Sequence, residues 1–311
     1  MVNLAGRSAV GLAAVFGAVL ASPQQAPFRA TARVVAIYAT VHDGDGRLVT
    51  DLDRDRFQVF DNGRPVPITA FSNDIVPVTV ALLLDMSATM MPQYFRVREA
   101  ASHFVDVLLP TDRVRIGTMA DEVSLSPLLT ADHSVLKRIL AEELWPGNST
   151  PLWSGIKAGM DSLSGEAGRR VVLVLTDGDD FCELSIQKVR DLGPIQQQRS
   201  DAQHRSGCVS AEAVQTQATA EGFMIYAIGM EGPGLSAAIG HLTEATGGGH
   251  FDLASDADVS GTFETVVNEL HHQYALGISP ALDGKLHTLE VRALGAGFVA
   301  RARKTYQAPR Q

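Results

Sequence analysis

Cysteine is nearly absent from this chain: Cys182 and Cys208 are the only two in 311 residues. That scarcity excludes a disulfide-dense scaffold, and two thiols with His204 nearby are too few ligands for a structural zinc site. No Lys/Arg cluster marks a phosphate track, and 26 basic residues stand against 35 acidic ones, so nucleic acid is not an expected partner. There is no long low-complexity tract. The composition, 45% hydrophobic and 20% charged, is that of a soluble globular protein able to bury a proper core. Several catalytic signatures are also missing. There is no Gly-x-x-x-x-Gly-Lys-Ser/Thr phosphate loop, no Gly-x-Gly-x-x-Gly after the first apolar strand, no Gly-x-Ser-x-Gly and no His-Glu-x-x-His. The first apolar run ends in Asp85-Met-Ser87, where haloacid-dehalogenase-type phosphoryl transfer needs Asp-x-Asp. Asp43-Gly-Asp-Gly46 lacks the further carboxylates and closing Glu of a calcium loop and reads as a turn. Gly247-Gly-Gly249 reads as a helix end, and His271 and His272 as structural residues at another. An enzyme is not expected.

What is present centres on two short, wholly apolar runs, at 78–84 and 171–176. Such runs suit central strands of a parallel sheet, buried on both faces. Asp85 follows the first and Asp177 the second, so both carboxylates fall at strand carboxyl ends, where an open α/β sheet has its crevice. Ser87 and Thr89 follow Asp85 directly, and Thr150 lies in the loop Gly147-Asn-Ser-Thr-Pro-Leu-Trp153, whose Pro151 suits a first helical turn. Two carboxylates and three hydroxyls make an all-oxygen site for a hard cation, Mg²⁺ first, with Mn²⁺ or Ca²⁺ as alternatives. Taken singly, each residue better suits an N-cap or a loop-shaping role; it is the combination that favours a metal. Between the runs, residues 91–109 predict an amphipathic helix with Phe95, Ala101, Phe104, Val105 and Leu108 on its apolar face.

The order Asp85-Met-Ser-Ala-Thr89, then Thr150, then Thr176-Asp-Gly-Asp-Asp180 resembles the metal-ion-dependent adhesion site of the von Willebrand factor type A (vWA) domain. The stretch 112–123 resembles that family's next strand pair. The resemblance implies a doubly wound, mostly parallel, Rossmann-like sheet over about residues 77–273. It implies Ser87 and Thr89 as direct ligands, Thr150 as a direct or water-mediated one, and Asp85 and Asp177 as the charge-balancing carboxylates. A coordination position is then left for the Asp or Glu of a partner protein. Thr89 stands where the family usually has Ser; the hydroxyl is kept, but the added methyl stiffens χ1. A vWA scaffold with a decayed, metal-free site is the alternative, and a Mg²⁺-dependent hydrolase a more distant one.

Outside that stretch the pattern changes to period two. Residues 31–41, 57–60 and 66–71 on one side, and 274–279, 286–292 and 298–302 on the other, predict strands, with Asn62-Gly63 as a hairpin turn. Neither flank has enough apolar residues for its own core, so 28–72 and 274–311 are expected to pack as one small antiparallel β-sandwich with the vWA domain inserted in it. Residues 49–63 and 301–309 resemble exported bacterial proteins of the VWFA-related, acidobacterial type. Arg7 and the uncharged apolar stretch 9–21 predict a cleaved signal peptide over residues 1–21, followed by a β segment at 22–76. The protein is thus expected to be exported, periplasmic or at the cell surface, with no stable membrane span afterwards. In that compartment Cys182 and Cys208 are expected to pair, closing the polar insertion between them.

Overall fold

A computed structural model describes residues 34–178, 180, 208–230, 234–254 and 258–310. The expected signal peptide lies outside the described residues. So does Cys182, and with it the expected Cys182–Cys208 bridge.

The N-terminal flank supplies β1 (Val35–His42), β2 (Phe57–Asp61), β3 (Arg64–Val66) and β4 (Ile68–Ser72). Asn62 and Gly63 turn the β2–β3 hairpin with φ of 48° and 74°, the paired positive angles of a type I′ turn that Asn-Gly favours. The strand expected at 66–71 is split: β3 pairs with β2, whereas β4 belongs to another sheet. Pro67 sits at the break, where its missing N–H would interrupt any continuous ladder.

The central stretch then runs β5 (Thr79–Asp85), α1 (Tyr94–Val107), β6 (Arg113–Met119), β7 (Val123–Leu125), α2 (His133–Glu142), α3 (Leu152–Ser162) and β8 (Arg170–Thr176). It continues with α4 (Ala211–Glu221), β9 (Met224–Gly229), α5 (Ala237–Thr246), β10 (His250–Asp252) and α6 (Val259–His271). The sheet order is β10-β9-β8-β5-β6-β7, parallel except for β7. Alternation along β5 sends Val80, Leu82 and Leu84 into one core with α1, α2 and α6, and Ala81 and Leu83 into a second with α3, α4 and α5. Two buried faces are what the uninterrupted apolar runs encode. In the first core the rings of Phe104 and Phe263 meet at 5.4 Å, tying α1 to α6. One expectation for α1 fails: Phe95 is 78% exposed, and Val97 and Ala100 join Ala101, Phe104 and Val105 on the buried face instead. A short 3-10 turn at Ala88–Gln93 precedes α1 and resets its phase by delaying the α-helical start to Tyr94.

The C-terminal flank adds β11 (Tyr274–Ile278), β12 (Leu286–Ala293), β13 (Val299–Ala302) and β14 (Thr305–Gln307), the last not foreseen in the sequence. Two antiparallel sheets result, β13-β1-β11-β4 and β14-β12-β2-β3, and each draws strands from both ends of the chain. Their inner faces share one core containing Ile37, Val59, Tyr274, Leu276, Leu289 and Tyr306. Tyr274 stacks among Phe57 and Phe71, accepts from the Leu52 N–H at 3.0 Å and donates to the Val49 carbonyl at 2.9 Å. The sandwich joins the larger sheet at its strand amino ends, with Tyr38, Arg303 and Tyr306 lining a seam beside Arg169 and Arg170.

Within the sandwich, His287 Nδ1 lies 2.6 Å from Asp61 and Nε2 lies 3.1 Å from Asp283, while the Tyr306 hydroxyl donates to Asp61 at 2.8 Å. The hydrogen bond to Asp61, aided by Asp283, holds the imidazole pKa above its ordinary 6.5. A folded-state pKa raised in this way stabilises fully below the unfolded value, and the contribution is lost as pH rises through the raised one. The melting temperature is therefore expected to fall as pH rises from near 6.5 upward, and His287→Gln is expected to flatten that slope. Thermal melts across this range check it; an unchanged slope in the variant would remove His287 as the cause.

Candidate metal centre

β5 delivers Asp85 to the crevice completely buried, because every residue of the strand is packed on both faces. The backbone then turns: the Ser87 N–H donates to Asp85 Oδ1 at 2.9 Å, and the hydroxyls of Ser87 and Thr89 lie 3.1 Å apart. Thr89 is exposed while Ser87 is buried, so the pair spans from the interior to the mouth of the crevice. The threonine methyl does not separate its hydroxyl from that of Ser87.

Thr150 arrives from a different direction. Its hydroxyl reaches both oxygens of Asp85, at 3.3 and 3.2 Å. Glycine explains how α3 comes so near. A Cβ on Gly155 would lie 2.4 Å from the Met119 sulfur, and one on Gly159 would lie 3.2 Å from Leu83 Cδ1, so α3 lies closer to the sheet than larger residues would allow. The helix begins at Leu152, with Pro151 one residue ahead of it at the N-cap.

The Thr150 loop is pinned by groups that the sequence reading did not single out. Asp121 accepts from the Asn148 N–H at 3.0 Å, the Asn148 side chain at 3.1 Å and the Ser149 hydroxyl at 3.3 Å. The Asn148 N–H, with help from the two side chains, holds the Asp121 carboxyl below the usual carboxylate range. The Gly147 N–H donates to the Met86 carbonyl at 2.9 Å, and a Cβ there would lie 2.7 Å from the Asp121 nitrogen. The Tyr94 hydroxyl donates to the Met86 and Ser87 carbonyls at 2.5 and 2.7 Å. Three loops are thereby locked before any ligand arrives. Asn148 and Ser149 carried a weak signal as loop residues, but nothing in the pattern paired them with Asp121.

β8 supplies the last part. Thr176, its final residue, donates to Asp85 Oδ2 at 2.7 Å and accepts from the Gly178 N–H at 3.1 Å. Gly178 has φ of 95°, and a Cβ on it would lie 2.6 Å from the Gly234 carbonyl oxygen, so only glycine suits that turn. Asp177 is 7% exposed, and its Oδ1 is buried without a hydrogen-bond partner among the described residues. Burial pushes the Asp85 pKa up; the hydrogen bonds from Thr176 and Ser87 oppose this, and the neighbouring charge of Asp177 adds to it.

The five residues read from the sequence thus converge. Asp85, Ser87, Thr89 and Thr150 form a hydrogen-bonded chain, and Asp177 is coupled to them through its charge on Asp85. Two buried carboxylates in mutual repulsion, one with an orphaned oxygen, are costly without a cation. Three hydroxyls beside them complete an oxygen donor set, which fits a hard divalent ion. Among the described residues no trio of His, Cys, Asp or Glu side chains forms a metal cluster, so the hydroxyls are essential to this fit.

The family model for the von Willebrand factor type A domain matches residues 79–268. No curated protein matches the chain. Among solved structures, the chain is similar to a von Willebrand factor type A protein from Catenulispora acidiphila at 11% identity and a TM-score of 0.48, over 90% of this chain and 74% of that one. It is similar to an aerotolerance-related membrane protein from Bacteroides fragilis at 15% identity and a TM-score of 0.46, over 63% of this chain and 98% of that one. It is also similar to proximal thread matrix protein 1 of the mussel byssus, in a form with a zinc-occupied MIDAS motif. There the identity is 17% and the TM-score 0.48, over 66% of this chain and 48% of that one.

Proposed function

The chain belongs to the von Willebrand factor type A family, and from that premise we propose that it is a metal-dependent protein-binding module whose crevice captures an acidic side chain of a partner. The observation that carries this reading is the convergence of three donors, the Ser87 N–H and the Thr150 and Thr176 hydroxyls, on Asp85 beside the Asp177 oxygen that has no partner among the described residues. Ser87, Thr89 and Thr150 would hold the ion, with Asp85 and Asp177 balancing its charge. When bound, a Mg²⁺ ion supplies a hard electrophile that an incoming carboxylate completes.

The chain's own residues do the rest. Asp85 orients the Thr150 and Thr176 hydroxyls, Asp121 fixes the loop carrying Thr150, and Tyr94 fixes the turn carrying Ser87. Met91, Phe95 and Trp145 stand 62%, 78% and 71% exposed on the segments flanking the crevice. Arg98, one turn beyond Phe95, donates to the Leu144 carbonyl at 2.9 Å, which draws these segments together. Apolar residues beside a charged centre suit a protein surface better than a free small acid. Among the described residues no helix is long and apolar enough to cross a membrane. Export through the leader at 1–21 and a Cys182–Cys208 bridge belong to the same reading.

Calorimetric titration of the full chain with Mg²⁺ and with Mn²⁺ tests it. Saturable binding at one site is expected. No heat with either ion would overturn the metal-dependent reading.

A further inference from the structure

A second site lies on the opposite side of the molecule, in the seam between sandwich and sheet. A cavity of about 490 Å³ opens there, and Tyr38, Arg169, Arg170, Phe223, Arg303 and Tyr306 are among the residues lining it. Three guanidinium groups therefore border one space, in a protein whose net charge is −9. One carboxylate lines it, that of Glu221, which is exposed.

Two of the three cations are engaged. Arg169 is 5% exposed; it donates to the carbonyls of Leu270 and Val76 and, at 3.3 Å, to Gln273. Its guanidinium also lies 5.4 Å from the Tyr38 ring centre. Arg170 donates to the carbonyls of Ser164 and Glu221 and stacks on Phe223 at 4.3 Å. Arg303 is different. Among the described residues it has no ion pair and no side-chain hydrogen bond; its Nε, like that of Arg169, is buried without a partner. Burial lowers its pKa, with only the phenols of Tyr306 and Tyr38 opposing that shift. Its guanidinium lies beside Gly222, where a Cβ would come within 3.2 Å of Nη1. Gly222 caps α4, so the helix carboxyl end offers a partial negative charge but no hydrogen bond.

A half-buried guanidinium carries a desolvation cost that no hydrogen-bond acceptor among the described residues offsets. Arginine is also the side chain best shaped to bind an oxyanion with two parallel hydrogen bonds. We propose that this cavity is a binding site for a small organic anion, a carboxylate or phosphate ester with a flat apolar body. Arg303 takes the oxyanion, the flanking arginines supply a positive field, and the partly exposed ring of Tyr38 receives the body. Because Tyr38, Arg303 and Tyr306 come from the sandwich and Arg169, Arg170 and Phe223 from the larger sheet's unit, a ligand here bridges both structural units. The proposal does not depend on the metal centre.

The test uses the full chain, titrated with phenyl phosphate and with benzoate at ionic strength fixed by sodium chloride, followed by calorimetry. Wild type is expected to bind at least one probe saturably, and Arg303→Gln to weaken it tenfold or more. The unliganded variant is expected to melt at or above the wild-type temperature, because it loses an unpaired charge. A structural role for Arg303 would instead lower that temperature and leave any affinity unchanged. Either that pattern or the absence of saturable binding to both probes would overturn the site.

Discussion

Asp85→Ala is expected to abolish the gain in stability that Mg²⁺ or Mn²⁺ confers on the wild-type chain. A ligand that binds only the folded state at a hundredfold excess over its dissociation constant adds about 2.7 kcal/mol. Wild type should show a gain of that size in denaturant unfolding, and the variant none. The reason lies in the position of Asp85, which accepts from Ser87 at 2.9 Å, Thr176 at 2.7 Å and Thr150 at 3.2 Å. Removing it cuts the negative charge at the centre and frees the hydroxyls it orients. Without metal, the variant should differ little from wild type. It loses a carboxylate that burial and Asp177 already disfavour, but it leaves the donors unpaired, and these effects oppose each other. Asp85→Asn separates the two contributions, since it retains acceptor geometry and removes charge. An Asn variant with undiminished metal response would show that charge at Asp85 is not what the site needs.

The second large effect is expected at the junction of the two units. Glu269, on α6, pairs with Arg301 of β13, lies 3.1 Å from His42 Nε2 of β1, and accepts from the Tyr226 hydroxyl of β9 at 3.0 Å. Its side chain is 3% exposed and that of Arg301 is 25% exposed. Burial would raise the Glu269 pKa, but His42 and Arg301 outweigh it and hold the carboxyl low. Glu269→Ala leaves Arg301 largely buried and unpaired, which costs about 3 kcal/mol or more. Replacing both partners with methionine should recover much of that loss, because the charge and its desolvation disappear together. Urea unfolding of the two variants measures both. A single variant within 0.5 kcal/mol of wild type, or a double variant less stable than the single one, would show that this pair does not join the units; that margin is about the size of ordinary surface substitutions.

The sheet and its crevice were legible because their signals are local. Apolar runs at 78–84 and 171–176 encode strands buried on both faces, and the residue after each run must emerge at a carboxyl end. Asn62-Gly63 specified its turn for the same reason: only a few residue types accept its backbone angles. What the sequence hid depends on contacts between distant segments. Asp121 looks like any loop carboxylate until Asn148 folds onto it, and Thr176 looks like the end of a strand until Asp85 comes within 2.7 Å. Phe95 misled because its spacing fits a helix that starts earlier than α1 does, and the 3-10 turn moved it outward. Pro67 was visible, but that the chain crosses there between two sheets follows only from pairing β4 with β11, some 200 residues away by the scale of long-range strand pairing. Arg303 gave no signal at all, since an unpaired arginine is defined by what surrounds it.

On the proposed reading, a divalent ion held by these oxygens keeps a position for a carboxylate. Water-proton relaxation of the Mn²⁺-loaded full chain, titrated with acetate against a chloride control, tests it most directly. Mn²⁺ binding is expected to enhance relaxation, acetate to lower the enhancement saturably while chloride does not, and Asp85→Ala to show neither effect. Enhancement that acetate leaves unchanged, or that persists in Asp85→Ala, would contradict it.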